Sequence, residues 1–423
     1  MSPTEALDRI RRYNGRLNAF VRVFDEPLGA GDGPTFAIKD LFDVAGVPTG
    51  GGAQVPLAEN PTETAVVVKR LLDAGWRAMG KTHTVELAYG GWGTNRAVGA
   101  PWNPWDSHVH RAPGGSSSGS AVAVAAGLVD GALGSDTGGS VRIPSGVCGV
   151  VGLKPGRGLV SLKGVHPLSP ALDTVGTLAR DVATAARMLG VISGPDGGAA
   201  ERAPFDAEAA LGMEVEGAKL AAIALDHLGE VDEDVGRLYL AALDKLRKVG
   251  ITVQMVRPPK SMEESFATNG FLMSGEGWRV WRERIERHSA VMDPWIVRRF
   301  EAGREISDDR LIQVHAQRAE DQAQFHDWIS AYDGLATPTC PIPAPPLDTV
   351  DETVSPLSRL TRAANYLDLP GISVPSGLTR EGLPAGLQIV GRPRDEAMVV
   401  ALAAAFEKVS SWNRRSPDLS GFE

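Results

Sequence analysis

The sequence predicts an α/β fold in which a β-sheet is covered by helices on both faces. Three observations predict it. Short apolar strand candidates alternate with helical patterns along most of the chain, the rhythm expected when helices pack on both sides of a sheet. The 423 residues are 43% hydrophobic and 22% charged, close to globular averages, which excludes disorder, collagen and a coiled coil. Glycine is concentrated, with 18 of the 49 glycines between residues 90 and 164. Apolar segments of strand and helix length interrupt them, so this stretch reads as tight turns between regular elements rather than as a linker.

Taken in order, Ser2-Pro3-Thr4-Glu5 opens a helix: Ser2 is the N-cap, Pro3 the first helical residue, and Glu5 completes a capping box. Leu7, Ile10 and Leu17 give that helix one apolar side. Residues 35–38 are a strand that ends in Lys39-Asp40, residues 62–74 a helix stopped by Gly75, and residues 76–79 a short strand. Residues 120–128 read as a small-residue helix, 132–134 as a strand, and 141–151 as a second region of close backbone. The stretch 191–216, with G-P-D-G-G at 194–198, is expected to be a surface connection. Strands at 219–225 and 251–256 flank a helix at 232–249 ended by Gly250. Residues 262–330 carry charge on a helical period and are expected to form a helical cover, and strands return near Leu335, Ile372 and Leu387.

The net charge of −9, with no Lys/Arg run longer than a pair, argues against a phosphate-tracking surface, so no nucleic-acid partner is expected. Cys148 and Cys340 alone build neither a disulfide framework nor a four-cysteine zinc site, which fits a reducing cytoplasm. The N-terminus lacks the apolar stretch of a signal peptide. The apolar run 121–129 stops at Asp130, short of the roughly 20 residues needed to span a bilayer, so no membrane segment is expected. His108-Val109-His110 sits among prolines and polar residues and reads as an exposed loop. None of the other histidines has metal-ligand spacing, and no metal is expected.

Three pieces carry candidate chemistry: Lys39 at a strand end, the loop 114–120 (GGSSSGS), and the loop 134–144 (GSDTGGSVRIP). A lysine there either snorkels to solvent and pairs with Asp40, or is buried as a base with its ordinary pKa of about 10.4 lowered towards neutrality. Gly114 and Gly119 have P-loop spacing, but Ser120 stands where the phosphate-binding lysine belongs. Gly115-Ser116-Ser117-Ser118-Gly119 matches G-x-S-x-G, with Ser117 as nucleophile, yet the segment before it is proline-rich and polar where that elbow needs an apolar strand. Thr137-Gly138-Gly139-Ser140 is able to turn successive N–H groups towards one point as an oxyanion hole, with Ser140 as nucleophile if a base or relay lies within reach.

In this order and spacing the pieces resemble the amidase signature family of serine hydrolases, which includes amidotransferase A subunits, fatty acid amide hydrolases and bacterial small-amide hydrolases. The resemblance covers most of the chain: KDLFDVAGVPT from Lys39, GKTHTVELA from Gly80, NPWD from Asn103, the two serine loops, VGLKP at 151–155, PGISVPSG, and GLPAGLQIVGRP. It implies the amidase signature fold, a large mixed β-sheet covered by helices on both faces as an α/β/α sandwich, over residues 1–423 as one domain, with a signature core at about 35–190 and the variable helical cover at about 262–330 within it. It further implies a Ser-cisSer-Lys triad in which Lys39 is the base, Ser116 the relay on a cis peptide bond, and Ser140 the nucleophile, acting without metal or organic cofactor. Ser117, Asp136 and Arg142 are carried as supports of the serine loops.

The implied activity is hydrolysis of an amide-type bond, or of a related carbamate, urea or ester, in a small molecule through an acyl-enzyme. Two alternatives stand beside it: the A subunit of an aminoacyl-tRNA amidotransferase, which makes ammonia for partner chains, and a non-catalytic binding protein on the same fold. For an amidotransferase component the length is short, and the acidic balance gives tRNA binding no support. Tyr89, Trp92 and Cys340 are expected to line the substrate pocket. The connection between residues 18 and 35 is shorter than the family's usual entry, so a different local rim is expected. The sequence does not set an oligomeric state.

Overall fold

The protein is described by a computed structural model over residues 1–410, 412 and 415–423. Eleven strands make one sheet: β1 (Phe20–Leu28), β2 (Thr35–Lys39), β3 (Arg77–Thr82), β4 (Gly131–Asp136), β5 (Val151–Lys154), β6 (Thr174–Ala179), β7 (Lys219–Ile223), β8 (Thr252–Val256), β9 (Gly334–Pro338), β10 (Gly371–Leu378) and β11 (Pro384–Val390). Their spatial order is β1-β3-β2-β4-β6-β5-β10-β11-β9-β7-β8. Pairing is parallel across β3-β2-β4 and across β9-β7-β8, and antiparallel elsewhere, so the sheet is mixed.

The helices are α1 (Pro3–Leu17), α2 (Val66–Asp73), α3 (Ser118–Ala125), α4 (Arg142–Cys148), α5 (Val182–Ile192), α6 (Ala207–Leu211), α7 (Glu233–Lys248), α8 (Met262–His288), α9 (Pro294–Glu301), α10 (Asp308–Ile329), α11 (Arg362–Tyr366) and α12 (Glu396–Ser410). Alternation along β2 shows why both faces need cover. Phe36 and Ile38 join one apolar cluster, and Ala37 between them joins another. Side chains of successive strand residues point to opposite faces, so the central sheet is buried on both.

The Ser2 capping box forms, and Leu7, Ile10 and Leu17 are buried as one side of α1. Residues 62–74 were expected to be helical throughout, but α2 starts only at Val66. The hydroxyl of Thr64 accepts from the N–H of Ala45 at 3.0 Å, fixing a neighbouring loop instead of opening a helix. The strand expected at 76–79 continues to Thr82, because it finds partners on both edges, β1 and β2. The expected surface connection, 191–216, contains the end of α5 and all of α6, whose Ala207 and Ala210 are buried. The helical cover consists of three helices, α8, α9 and α10, started by side-chain caps from Ser261, Asp293 and Ser307. Among the described residues no helix is long and apolar enough to cross a membrane.

Candidate active site

Strand β2 lies between β3 and β4, so the residue at its end is roofed by both neighbours. Lys39 is that residue, and its side chain is fully buried. Its Nζ lies 2.7 Å from Ser116 Oγ and 2.8 Å from Ser135 Oγ. Burial disfavours the ammonium and brings Lys39 down to about 7, against the opposing pull of Asp136 and Asp173. The Gly115–Ser116 peptide bond is cis. Ser116 is fully buried, and the N–H of Ser117 donates to Ser140 O at 3.1 Å, which fastens one serine loop to the other. Ser117 is itself buried, with its Oγ donating to Ser135 O at 3.3 Å.

The turn between β4 and α4 carries Ser140. Asp136 organises it from beneath: its Oδ1 accepts from Gly139 N at 2.7 Å, and its Oδ2 accepts from Val141 N at 3.1 Å. Arg142 grips the same carboxylate with Nε at 3.0 Å and Nη2 at 2.9 Å. Burial opposes ionisation of Asp136, but the Arg142 guanidinium, helped by Lys154 and Asn365, holds it well below the usual carboxylate range. The rest of the Arg142 fork is filled by Thr361 O at 2.8 Å, Gln388 Oε1 at 2.7 Å and Asn365 Oδ1 at 2.6 Å. This pair is buried yet fully hydrogen-bonded, which is what makes it tolerable in the core.

One expectation changes here. Thr137, Gly138, Gly139 and Ser140 were all expected to offer N–H groups to an oxyanion, but the Gly139 N–H is consumed by Asp136, leaving Thr137, Gly138 and Ser140. Gly139 instead supplies geometry, with φ of +127° and Thr361 so near that a Cβ would stand 2.1 Å from its Oγ1. Thr361 Oγ1 donates to Gly138 O at 2.7 Å, and Thr137 Oγ1 donates to Asp173 Oδ1 at 2.5 Å. Burial pushes Asp173 up to about 6 despite hydrogen bonds from Thr137, Leu168 and Ser169.

Ser140 opens on a cavity of about 540 Å³, which Thr137 and Gly138 also line. Of the three expected wall residues only Tyr89 lines it, its hydroxyl 2.7 Å from Ser274 Oγ. Trp92 is buried behind the wall, where its indole N–H donates to Asp351 O and Val354 O and so holds the loop that does form the rim. Cys340 is buried in the core beneath α4, and burial raises its thiol. No residue from 18–35 lines the cavity, because that segment runs into β1 at the sheet edge. His108 and His110 lie elsewhere as well, with the ring of His110 stacked on Trp102 at 4.3 Å.

Sequence reading missed Ser135, Asp173, Thr361, Asn365 and Gln388. Ser135 was in view, one residue from Asp136. The others meet the loops only through tertiary contacts that span up to 246 residues, which no local pattern announces.

Similarity to known proteins accords with this geometry. The sequence model of the amidase family matches residues 4–400. The A subunit of the glutamyl-tRNA(Gln) amidotransferase of Chloroflexus aggregans is 33% identical, aligned over 99% of this chain and 90% of the relative. The crystal structure of the corresponding Thermotoga maritima protein superposes with a TM-score of 0.84 at 33% identity, covering 96% of this chain and 91% of that one. The native peptide amidase of Stenotrophomonas maltophilia gives 0.85 at 27% identity, covering 99% and 96%. A family model matched along nearly the whole chain, a relative one third identical over almost its full length and a fold shared with solved amidases make this protein a member of the amidase family, enzymes that hydrolyse carbon–nitrogen bonds.

Proposed function

We propose that the protein cleaves an amide bond through Lys39, Ser116 and Ser140. The observation that carries this reading is the 2.7 Å separation of Lys39 Nζ and Ser116 Oγ, both fully buried, behind a serine that opens on a cavity. A hydroxyl is a weak nucleophile at its own pKa and needs a base; a lysine near 7 supplies neutral amine at physiological pH. Lys39 takes a proton through Ser116 as Ser140 attacks the carbonyl, and N–H groups of Thr137, Gly138 and Ser140 receive the oxyanion. The C–N bond breaks as Ser116 returns the proton to the leaving nitrogen. Water then attacks the acyl-enzyme by the reverse route and releases the acid. Residues 1–423 act as one amidase domain, a reading supported by the single sheet. The shortage of cysteines supports a cytoplasmic setting.

A second reading is favoured by the names of the sequence relatives, and it has more support from them than a free-standing small-molecule amidase does. In it the same chemistry releases ammonia as the A subunit of an amidotransferase that works with partner chains and tRNA. Both readings share the nucleophile. Labelling with a fluorophosphonate followed by peptide mapping tests it: adduct on Ser140, lost in Ser140→Ala, is expected, and adduct on Ser117 reverses the assignment. Isolation of the native protein then separates the two, because an amidotransferase component co-purifies with partner chains and a free-standing amidase does not.

A further inference from the structure

The chain carries a net charge of −9, yet its active-site cavity is cationic. Among the described residues, Arg298, Arg299 and Arg362 line it against a single carboxylate, Glu352. Glu352 is already engaged, accepting from Arg299 Nη2 through Oε2 at 2.5 Å and from the hydroxyl of Thr94 through Oε1. Arg299 is thereby neutralised, and it also donates to Tyr89 O at 2.9 Å. Arg298 is exposed and sits over the ring of Trp295.

Arg362 is different. It is half-buried, its guanidinium lies over the Phe266 ring at 4.0 Å, and its hydrogen-bond partners are neutral: Ser358 Oγ at 3.1 Å and Phe266 O at 3.3 Å. Among the described residues no carboxylate lies within ion-pair distance of it, and Glu263 acts on its charge only from farther off. Burial draws it down only to about 10, so it remains a cation at neutral pH. It also borders the loop that carries Ser140, since its Cγ lies 3.3 Å from where a Cβ on Gly138 would stand. A half-buried guanidinium with N–H groups to spare is a fork for a carboxylate, and this one lines the same cavity as Ser140.

We propose that Arg362 binds an anionic group of the substrate, so that the site selects short amides bearing a single carboxylate and no neighbouring ammonium. This rests on the reading of Ser140 as an amide-cleaving nucleophile. The exclusion of an ammonium follows from Glu352, the acidic residue among the described residues of the cavity wall, whose charge is already answered by Arg299 and so gives an ammonium no unpaired counter-charge. For the monoamide of glutaric acid the balanced reaction is glutaramate plus water giving glutarate and ammonium: Ser140 Oγ bonds to the carbonyl carbon, the C–N bond breaks, and water then displaces Ser140.

The experiment compares ammonia release from glutaramate, hexanamide and glutamine. In the natural protein, kcat/KM for glutaramate is expected to exceed that for hexanamide by at least about 100-fold, mostly through KM, as charge-assisted hydrogen bonds require. In Arg362→Gln that ratio falls towards one, and Arg362→Lys, which keeps the charge without the fork, recovers part of it. Glutarate binding measured by calorimetry gives a second readout that needs no turnover: binding by the natural protein and its loss in Arg362→Gln support the proposal. Hexanamide cleaved as well as glutaramate, glutamine cleaved as well as or better than glutaramate, or no glutarate binding overturns it, and the natural-protein comparisons decide even if the variants do not fold. Fluorophosphonate labelling of Ser140 keeps the two questions apart. A labelled serine without carboxylate preference sinks only this inference, whereas an unlabelled serine and no cleavage of any amide sinks the functional reading.

Discussion

Lys39 Nζ lies 2.7 Å from Ser116 Oγ, and neither side chain touches solvent. The enclosure that lowers Lys39 from 10.5 to about 7 also sets the pH behaviour. With chemistry limiting, kcat/KM is expected to rise with pH through about 7 and then level off, and a flat profile from pH 5 to 9 would remove Lys39 from the role of base. Stability follows with a definite sign. Between about 7 and 10.5 the unfolded chain holds the Lys39 proton and the folded one does not, so this group makes stability rise with pH in that window; below 7 both states are protonated and the penalty is full. Lys39→Met is therefore expected to lose activity yet melt no lower than the natural protein at pH 7, which scanning calorimetry checks.

Replacing Ser140 by alanine is expected to lower kcat by about 10³-fold or more, since it removes the hydroxyl proposed to form the acyl-enzyme. Ser117→Ala keeps turnover within roughly tenfold of the natural enzyme, because Ser117 is buried against Ser135 and has no cavity surface. Equal losses in the two variants, measured by steady-state amide hydrolysis, would contradict the division of roles.

Asp136→Asn leaves Arg142 buried with its charge unanswered. The expected loss of stability is about 3–5 kcal/mol, read from urea unfolding, because a broken buried pair exposes the full cost of the remaining charge. A change under about 1 kcal/mol would mean that the turn does not depend on this clamp.

Gly139→Ala tests whether the turn tolerates a side chain. At φ of +127° an L-residue is strained, and the new Cβ would stand 2.1 Å from Thr361 Oγ1. Thr361 must shift and release Gly138 O, so kcat is expected to fall by about 10²-fold, the scale seen when an oxyanion donor is misplaced. Unchanged kcat would show that Gly138 need not be held.

Much of the fold and the site is legible in the amino-acid order alone. The helix starting at Ser2 is readable because its cap is local, and β2 because its apolar run is buried on both faces. Strand β1 escapes because an edge strand alternates poorly: Phe20 and Phe24 are buried, while Val21 is exposed and Glu26 and Pro27 break the pattern. At the site, Ser140 stands out through its glycine-rich turn and Lys39 through its place at a strand end, whereas Ser116 is told from Ser117 only by resemblance to the amidase signature family. Trp92 and Cys340 mislead because an aromatic or a thiol near a reactive loop has the same sequence signature whether it lines a cavity or packs behind it. Arg362 has no signature at all; its meaning arises from what fails to pair with it.

The Arg142 clamp bears on how the protein is made. Lys39, Ser116 and Ser140 leave the ribosome early, but the groups that complete the Arg142 fork, Thr361, Asn365 and Gln388, follow 219 to 246 residues behind it. At about 5–20 residues per second, translation leaves the first three side chains waiting for tens of seconds before the turn is braced. The turn that carries Ser140 therefore waits for its braces until synthesis is nearly complete, and a chain truncated before Gln388 keeps Lys39, Ser116 and Ser140 but loses one of the acceptors that hold Arg142.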